Sequence, residues 1–217
     1  MLKYAILGMG FLALFNLSGN AGEIIRLLPP RSSGGKSIME CLSLRRSIKE
    51  FKGGKELSLQ QLSELLYAAG GVNRPDGRLT IPTARNLQNQ RIYVALKDGI
   101  YIYESKDHVL KLLRPGNFIA QCGRQSYHRN AAVELIYAAD LPIIGGSAEG
   151  QAACGGTHAG SSAQNVYLYA ASEGLGTVIC GNFDRKKLTE LLKLEKNWRI
   201  FYVQPVGFPV YASAVGK

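Results

Sequence analysis

The run Arg45-Arg46-Ser47-Ile48-Lys49-Glu50-Phe51 holds the densest set of phosphate-binding groups in the chain. Two guanidinium groups, one hydroxyl and one ammonium fall within five consecutive positions. Guanidinium forks pair with the oxygens of a phosphate monoester, an ammonium adds a point charge, and a hydroxyl donates one more hydrogen bond. Taken alone, the same residues also suit a solvated basic helix end, where cations offset the carbonyls of the last turn.

Other chemistries do not assemble. His108, His128 and His158 stand in unrelated contexts, and no serine sits in a GxSxG elbow. An isolated histidine is more often a hydrogen-bonded structural residue than a base. There is no HExxH, and the acidic residues do not gather at metal-ligand spacing. Gly35-Lys36-Ser37 has the end of a P-loop, but Pro30 stands where its first glycine is needed and no strand precedes it. The glycine-rich stretch 145–160 lacks GxGxxG and a later acidic partner for a ribose. Cys154 and His158 lie four apart, but two ligands do not make a zinc site, and Gly155-Gly156 weaken a helix between them. Redox chemistry by this chain therefore requires a bound cofactor.

Arg45 to Phe51 resembles the RRSxR/K-x-F signature of the nitroreductase family of flavoproteins. Three further segments agree with that family in order and spacing. Pro82-Thr83-Ala84-Arg85-Asn86-Leu87-Gln88 is similar to its P-S-x-x-N-x-Q turn, with threonine for the usual serine, which keeps a hydroxyl and adds a methyl group. Gly160 to Leu175, with Gln164-Asn165-Val166-Tyr167-Leu168 and Glu173-Gly174-Leu175-Gly176, looks like the family's central helix and its exit. Gly181-Asn182-Phe183-Asp184 matches the segment whose backbone approaches flavin N5. Together these span residues 38 to about 209.

The resemblance implies an α+β fold, a mostly antiparallel central sheet flanked by helices. It also implies a homodimer with two FMN molecules at the subunit interface, each held by both chains. Arg45, Ser47 and Lys49 would anchor the FMN phosphate, with Arg46 at the pyrimidine edge or in solvent. Thr83 and Asn86 would approach the flavin ring, and the backbone at Gly181 and Asn182 would reach N5. An isoalloxazine needs such donors near N5 and its carbonyls to carry charge on reduction. No side-chain acid is implied; flavin N5 does the chemistry, with NAD(P)H as one candidate donor and a small aromatic, quinone or nitro compound as partner. Many relatives complete the phosphate site with a basic pair near the C-terminus. Here only Lys217 stands there. No long insertion between Asp140 and Gly160 suggests a substrate lid.

The elements that must position these groups follow from periodicity. Helical spacing starts at Ile38, and a second helix opens at Ser58, with Gln61 in capping-box position and Leu59, Leu62, Leu65, Leu66 and Ala69 as its apolar stripe. Gly70-Gly71 ends it. Residues 90–104 read as a hairpin turning at Asp98-Gly99, 108–113 as further extended chain, and 133–138 as a strand. A glycine-rich loop over 145–156 leads into a helix from about Gly160 to Glu173. A short strand at 177–180, a helix capped by Asp184 and running through Leu194, and a last strand at 200–206 complete the pattern. Helices and strands mix without βαβ alternation, which gives α+β.

The chain has 217 residues, enough for one domain with a real core. Lys3, the apolar run Tyr4 to Leu17 and the small residues Gly19-Asn20-Ala21 read as a signal peptide over 1–21, implying export to a periplasm. The run is short for a membrane span, so stable anchoring after cleavage is not expected. Residues 22–37, with Pro29-Pro30 and Ser32-Ser33-Gly34-Gly35, read as a linker, leaving 38–217 as the FMN-binding domain. The net charge of +10 invites an anionic partner, but the basic run lacks interleaved aromatics and forms no known DNA-binding motif, so nucleic acid is set aside. Cys41, Cys122, Cys154 and Cys180 show no CxxC and no disulfide-scaffold spacing. The competing reading is an exported flavin-binding protein without catalysis, since a fold does not fix a function.

Overall fold

Strand β5 (Val133–Asp140) is the centre of the molecule: seven of its eight residues are buried, because both faces of the sheet are covered there. It pairs on one side with β2 (Gln90–Ala95) and on the other with β7 (Trp198–Gly207). The remaining strands are β1 (Ile24–Arg26), β3 (Gly99–Glu104), β4 (Val109–Pro115) and β6 (Gly176–Thr177). The sheet order is β1-β4-β3-β2-β5-β7-β6, and every pairing is antiparallel. The helices are α1 (Ile38–Leu44), α2 (Leu59–Gly70), α3 (Ala148–Glu173) and α4 (Arg185–Leu191). This is an α+β fold. The structure, a computed structural model, describes residues 24–211; the signal-peptide reading at 1–21 and Lys217 lie outside them.

Side-chain alternation in β5 sorts the two cores. Val133, Leu135 and Tyr137 face α2 and α3, while Ile136 and Ala138 face the layer containing α4. Ala159, Ala163, Val166 and Ala170 form the inward stripe of α3 at helical spacing. The hairpin β2–β3 turns where the sequence places it, with the Leu96 N–H donating to the Gly99 carbonyl at 2.8 Å. Ser58 and Gln61 form a reciprocal capping box at the start of α2.

Two expectations need correction. Helix α3 starts at Ala148 and not near Gly160, so the stretch 148–156 is helical and not a loop. Ser147 caps it by accepting the Gly150 N–H at 3.1 Å. The glycines deterred a helix reading, but Gly155 lies against β7, where a Cβ would sit 2.4 Å from Phe201 Cζ. Tertiary packing thus outweighs the ordinary cost of a glycine within a helix. The stretch 22–37 is likewise more than a spacer: it contains β1, which pairs with β4, and Leu27 is buried. Beyond β1 it runs as a strap over α2 and α3, tied by Arg31 to Glu64 and by Lys36 to the Ser172 carbonyl.

Candidate functional site

Arg45 caps α1, its N–H donating to the Cys41 carbonyl, and its extended backbone releases the chain onto the sheet edge. The Ile48 N–H donates to the Thr177 carbonyl at 2.9 Å, fixing the segment beside β6. Phe51 is buried and bridges to Pro209. With these apolar residues turned inward, Arg46, Ser47 and Lys49 stay exposed and Arg45 is half-buried. None of the three cations forms an ion pair among the described residues. Clustered cations without counter-ions repel one another, so an anion bound there is favoured.

Tyr167 of α3 joins this segment to the next one. Its hydroxyl lies 2.9 Å from Ser47 Oγ and accepts the Ile179 N–H at 2.9 Å. The Arg45 guanidinium stands over its ring at 5.2 Å. From Ile179 the chain forms an antiparallel bridge, Cys180 to Val203, and emerges at Gly181 and Asn182, both exposed. Neither of their N–H groups donates within the described residues, so both remain available to a ligand. The space beside Gly181 is open. Arg45, Ser47 and the 179–182 backbone are therefore brought together on one phenol. Arg46 turns back, its Nε donating to the Leu44 carbonyl at 3.3 Å.

Thr83 and Asn86 are not part of that cluster. They lie in a tight turn where Arg85, Asn86 and Gln88 adopt positive φ of 51°, 57° and 48°. Such a run of non-glycine residues is strained and persists only where its surroundings dictate it. Here they do: the Ala84 N–H donates to His158 Nε2 at 2.9 Å, and Thr83 Oγ1 accepts the Gln88 N–H at 3.2 Å. Gln88 Nε2 donates to the Gly77 carbonyl and to Asn86 Oδ1. His158 precedes Tyr167 by nine positions on α3, a rise of about 14 Å along the helix. Within one chain the two halves of the expected site stand apart.

Several contributors escape the sequence reading. Tyr167 sits inside a quoted motif, yet nothing in its spacing marks it as the tie. Beneath Cys180 lies a buried pair: His128 Nδ1 is 2.6 Å from Glu134 Oε1, and both side chains are fully buried. Burial pushes Glu134 well above the usual carboxylate range and His128 down to about 4. Both directions favour an uncharged pair, a protonated carboxyl beside a neutral imidazole, over an ion pair. Tyr127 stacks on His128 at 4.7 Å, and Cys180 Sγ lies 3.4 Å from Gln125 Oε1. A carboxyl at an inward position of an otherwise apolar strand was the available signal.

Comparison with known proteins identifies the family. The model of the nitroreductase family matches residues 42–208. A protein of Methanocaldococcus jannaschii, whose name gives it provisionally as a nitroreductase, is 33% identical over 171 residues, 73% of this chain and 85% of its own. The crystal structure of a Ralstonia eutropha protein, also provisionally a nitroreductase, superposes with a TM-score of 0.83 at 33% identity, covering 89% of this chain and 93% of that one. A Desulfovibrio desulfuricans protein crystallised in complex with FMN shares the fold, with a TM-score of 0.60 at 18% identity over 85% of this chain and 92% of that one. The chain belongs to the nitroreductase family.

Proposed function

We propose that this protein is an FMN-dependent oxidoreductase of nitroreductase type. It works as a homodimer, moving hydride or electrons between a small-molecule donor and a small aromatic, quinone or nitro compound. The observation that carries this reading is the convergence of the Arg45 guanidinium, the Ser47 hydroxyl and the 179–182 backbone on Tyr167.

These groups fit the cofactor chemically. Arg45, Ser47 and Lys49 would hold its phosphate by charge-assisted hydrogen bonds. The Gly181 and Asn182 N–H groups would face the ring edge, where donors offset charge gained on reduction. Tyr167 holds the two donor segments in register through Ser47 and Ile179. When bound, FMN supplies hydride acceptance and donation at N5. Family membership and the FMN complex of the Desulfovibrio protein support this choice of cofactor.

The homodimer reading rests on two features. Thr83 and Asn86 stand apart from Arg45 and Ser47 within one chain, an arrangement in keeping with a flavin held by residues of two copies. Helix α1 also exposes Ile38, Met39 and Leu42 at 60%, 71% and 48%, an apolar face suited to burial by a second copy. Export remains part of the proposal on the strength of residues 1–21, with NAD(P)H or another reductant as donor, and Lys217 as a further phosphate contact.

The test is an absorption spectrum of the chain from Gly22 onward after FMN addition and desalting. Flavin bands at about one per subunit support the reading. A colourless protein, or an Arg45→Ala/Ser47→Ala variant that holds FMN as tightly as wild type, defeats the assignment. Turnover with a nitro or quinone acceptor separates an enzyme from a flavin carrier.

A further inference from the structure

A second group of cations borders the turn that carries Thr83 and Asn86. Arg74, Arg78 and Arg85 line a cavity of about 490 Å³ together with Ile81, Pro82, Thr83 and Asn86. Arg78 is compensated by Asp76 at 2.7 Å. Arg74 donates only to the Leu79 carbonyl at 3.4 Å, and Arg85 to the Ile144 carbonyl. Neither has an ion pair among the described residues, so the cavity holds two guanidinium charges without counter-ions.

The turn that carries Arg85 is held in an unusual backbone conformation. Arg85 is held at φ 51°, a conformation that is strained for a non-glycine residue. His158 and Gln88 clamp the turn on either side of it through Ala84 and Gly77. Ile81 and Pro82 supply the smaller, apolar part of the lining, with Ile81 itself buried. An oxyanion matches this mostly polar lining, because it meets the guanidinium forks there.

We infer that this cavity selects an anionic redox partner, with Arg74 and Arg85 recognising a carboxylate or phosphate on the electron donor or acceptor. The inference rests on the flavin reading above, because Thr83 and Asn86 are the residues that reading brings to the flavin ring. It adds what that reading leaves open, a preference set by charge.

The experiment compares two acceptors matched around one nitro group, 4-nitrobenzoate and the neutral 4-nitrobenzyl alcohol. Wild type, Arg74→Gln and Arg74→Gln/Arg85→Gln are assayed for kcat/KM, with FMN content measured separately. Binding of benzoate and of inorganic phosphate is followed by NMR on the same full chain, with and without flavin. The expected result is that the preference for nitrobenzoate falls about tenfold in the double variant and less in the single, FMN content unchanged. Benzoate or phosphate affinity should fall in parallel. Benzoate-only binding identifies a carboxylate partner, and phosphate binding with a matching loss of NADPH affinity identifies a nucleotide donor; each supports the inference. An unchanged preference, or loss of FMN in place of preference, overturns it. Arg74→Gln decides alone where the double variant fails to fold, since Arg74 makes one backbone contact. A colourless chain that still binds benzoate through these arginines defeats the flavin reading and not the anion site. A flavin-loaded chain indifferent to charge does the reverse.

Discussion

The Ser47 and Tyr167 hydroxyls lie 2.9 Å apart, joining a loop after α1 to a helix 120 positions later. Because the same phenol accepts the Ile179 N–H, two segments of the proposed flavin site depend on one oxygen. Tyr167→Phe keeps the ring beneath Arg45 and removes that oxygen. The half-buried Ile179 N–H then loses its partner, at a cost of about 1–3 kcal/mol, and the melting temperature falls on the order of 5 °C. FMN affinity should fall with it. Ser47→Ala leaves the Ile179 bond intact and should weaken FMN binding with little change in melting. Equal FMN affinity in wild type and Tyr167→Phe would show that the phenol positions nothing.

The buried Glu134–His128 pair predicts an alkaline loss of stability. In the folded chain the pair holds one proton, on Glu134, whose raised pKa keeps it protonated while His128, lowered to about 4, stays neutral. Unfolded, the two groups titrate near the ordinary 4.5 and 6.5. Between those values both states hold one proton and the pair adds no pH dependence. Above 6.5 the unfolded chain holds none, so stability falls by about 1.4 kcal/mol per pH unit until Glu134 ionises. Glu134→Gln removes this slope. It leaves only the histidine contribution, which is lost as pH falls from 6.5 towards 4. Urea midpoints from pH 5 to 9 check this: identical profiles for wild type and variant would refute the neutral pair.

Two glycines of α3 should respond in opposite directions. At Gly160 no atom lies within 4 Å of a built Cβ, so Gly160→Ala gains helix propensity and stabilises by about 0.5–1 kcal/mol. At Gly155 the Cβ would meet Phe201 at 2.4 Å, and Gly155→Ala must displace that ring or the helix, costing about 1–3 kcal/mol. Denaturant unfolding of the two variants reads the difference. A stable Gly155→Ala would mean the contact with β7 is loose.

What the sequence exposed and what it hid follow one physical line. Features written in adjacent residues were legible: the Ser58–Gln61 capping box, the turn at Asp98-Gly99, and the polar run at 45–49. Features decided by distant partners were not. Gly155 argues against a helix until Phe201 is seen beside it, and the three residues of β1 are too few to show alternation. Arg74, Arg78 and Arg85 look like scattered loop charges until the turn at Thr83 gathers them around one cavity. Tyr167 reads as one more core aromatic because its role lies in its hydroxyl, and hydroxyl partners leave no periodicity.

The strap ahead of α1 supplies the last prediction. Arg31 grips Glu64 through Nε and Nη2 at 2.6 and 2.7 Å, with Glu173 at 3.3 Å. The guanidinium, aided by Gln60 and by the Arg31 backbone N–H, lowers Glu64 to about 2. A carboxyl depressed in the folded state contributes stability that is complete above its unfolded value near 4.5 and is lost as pH falls through about 2. Glu64→Gln keeps the shape and removes the charge, so its stability should be lower at neutral pH and flatter across that acid window. Arg31→Ala should lose the same acid dependence through the other partner, with faster proteolysis before Ser37 as the strap lifts from α2 and α3. Acid-titration midpoints and limited proteolysis together decide the matter. Variants matching wild type in both would mean that β1 and Leu27 hold the strap without the ion pair.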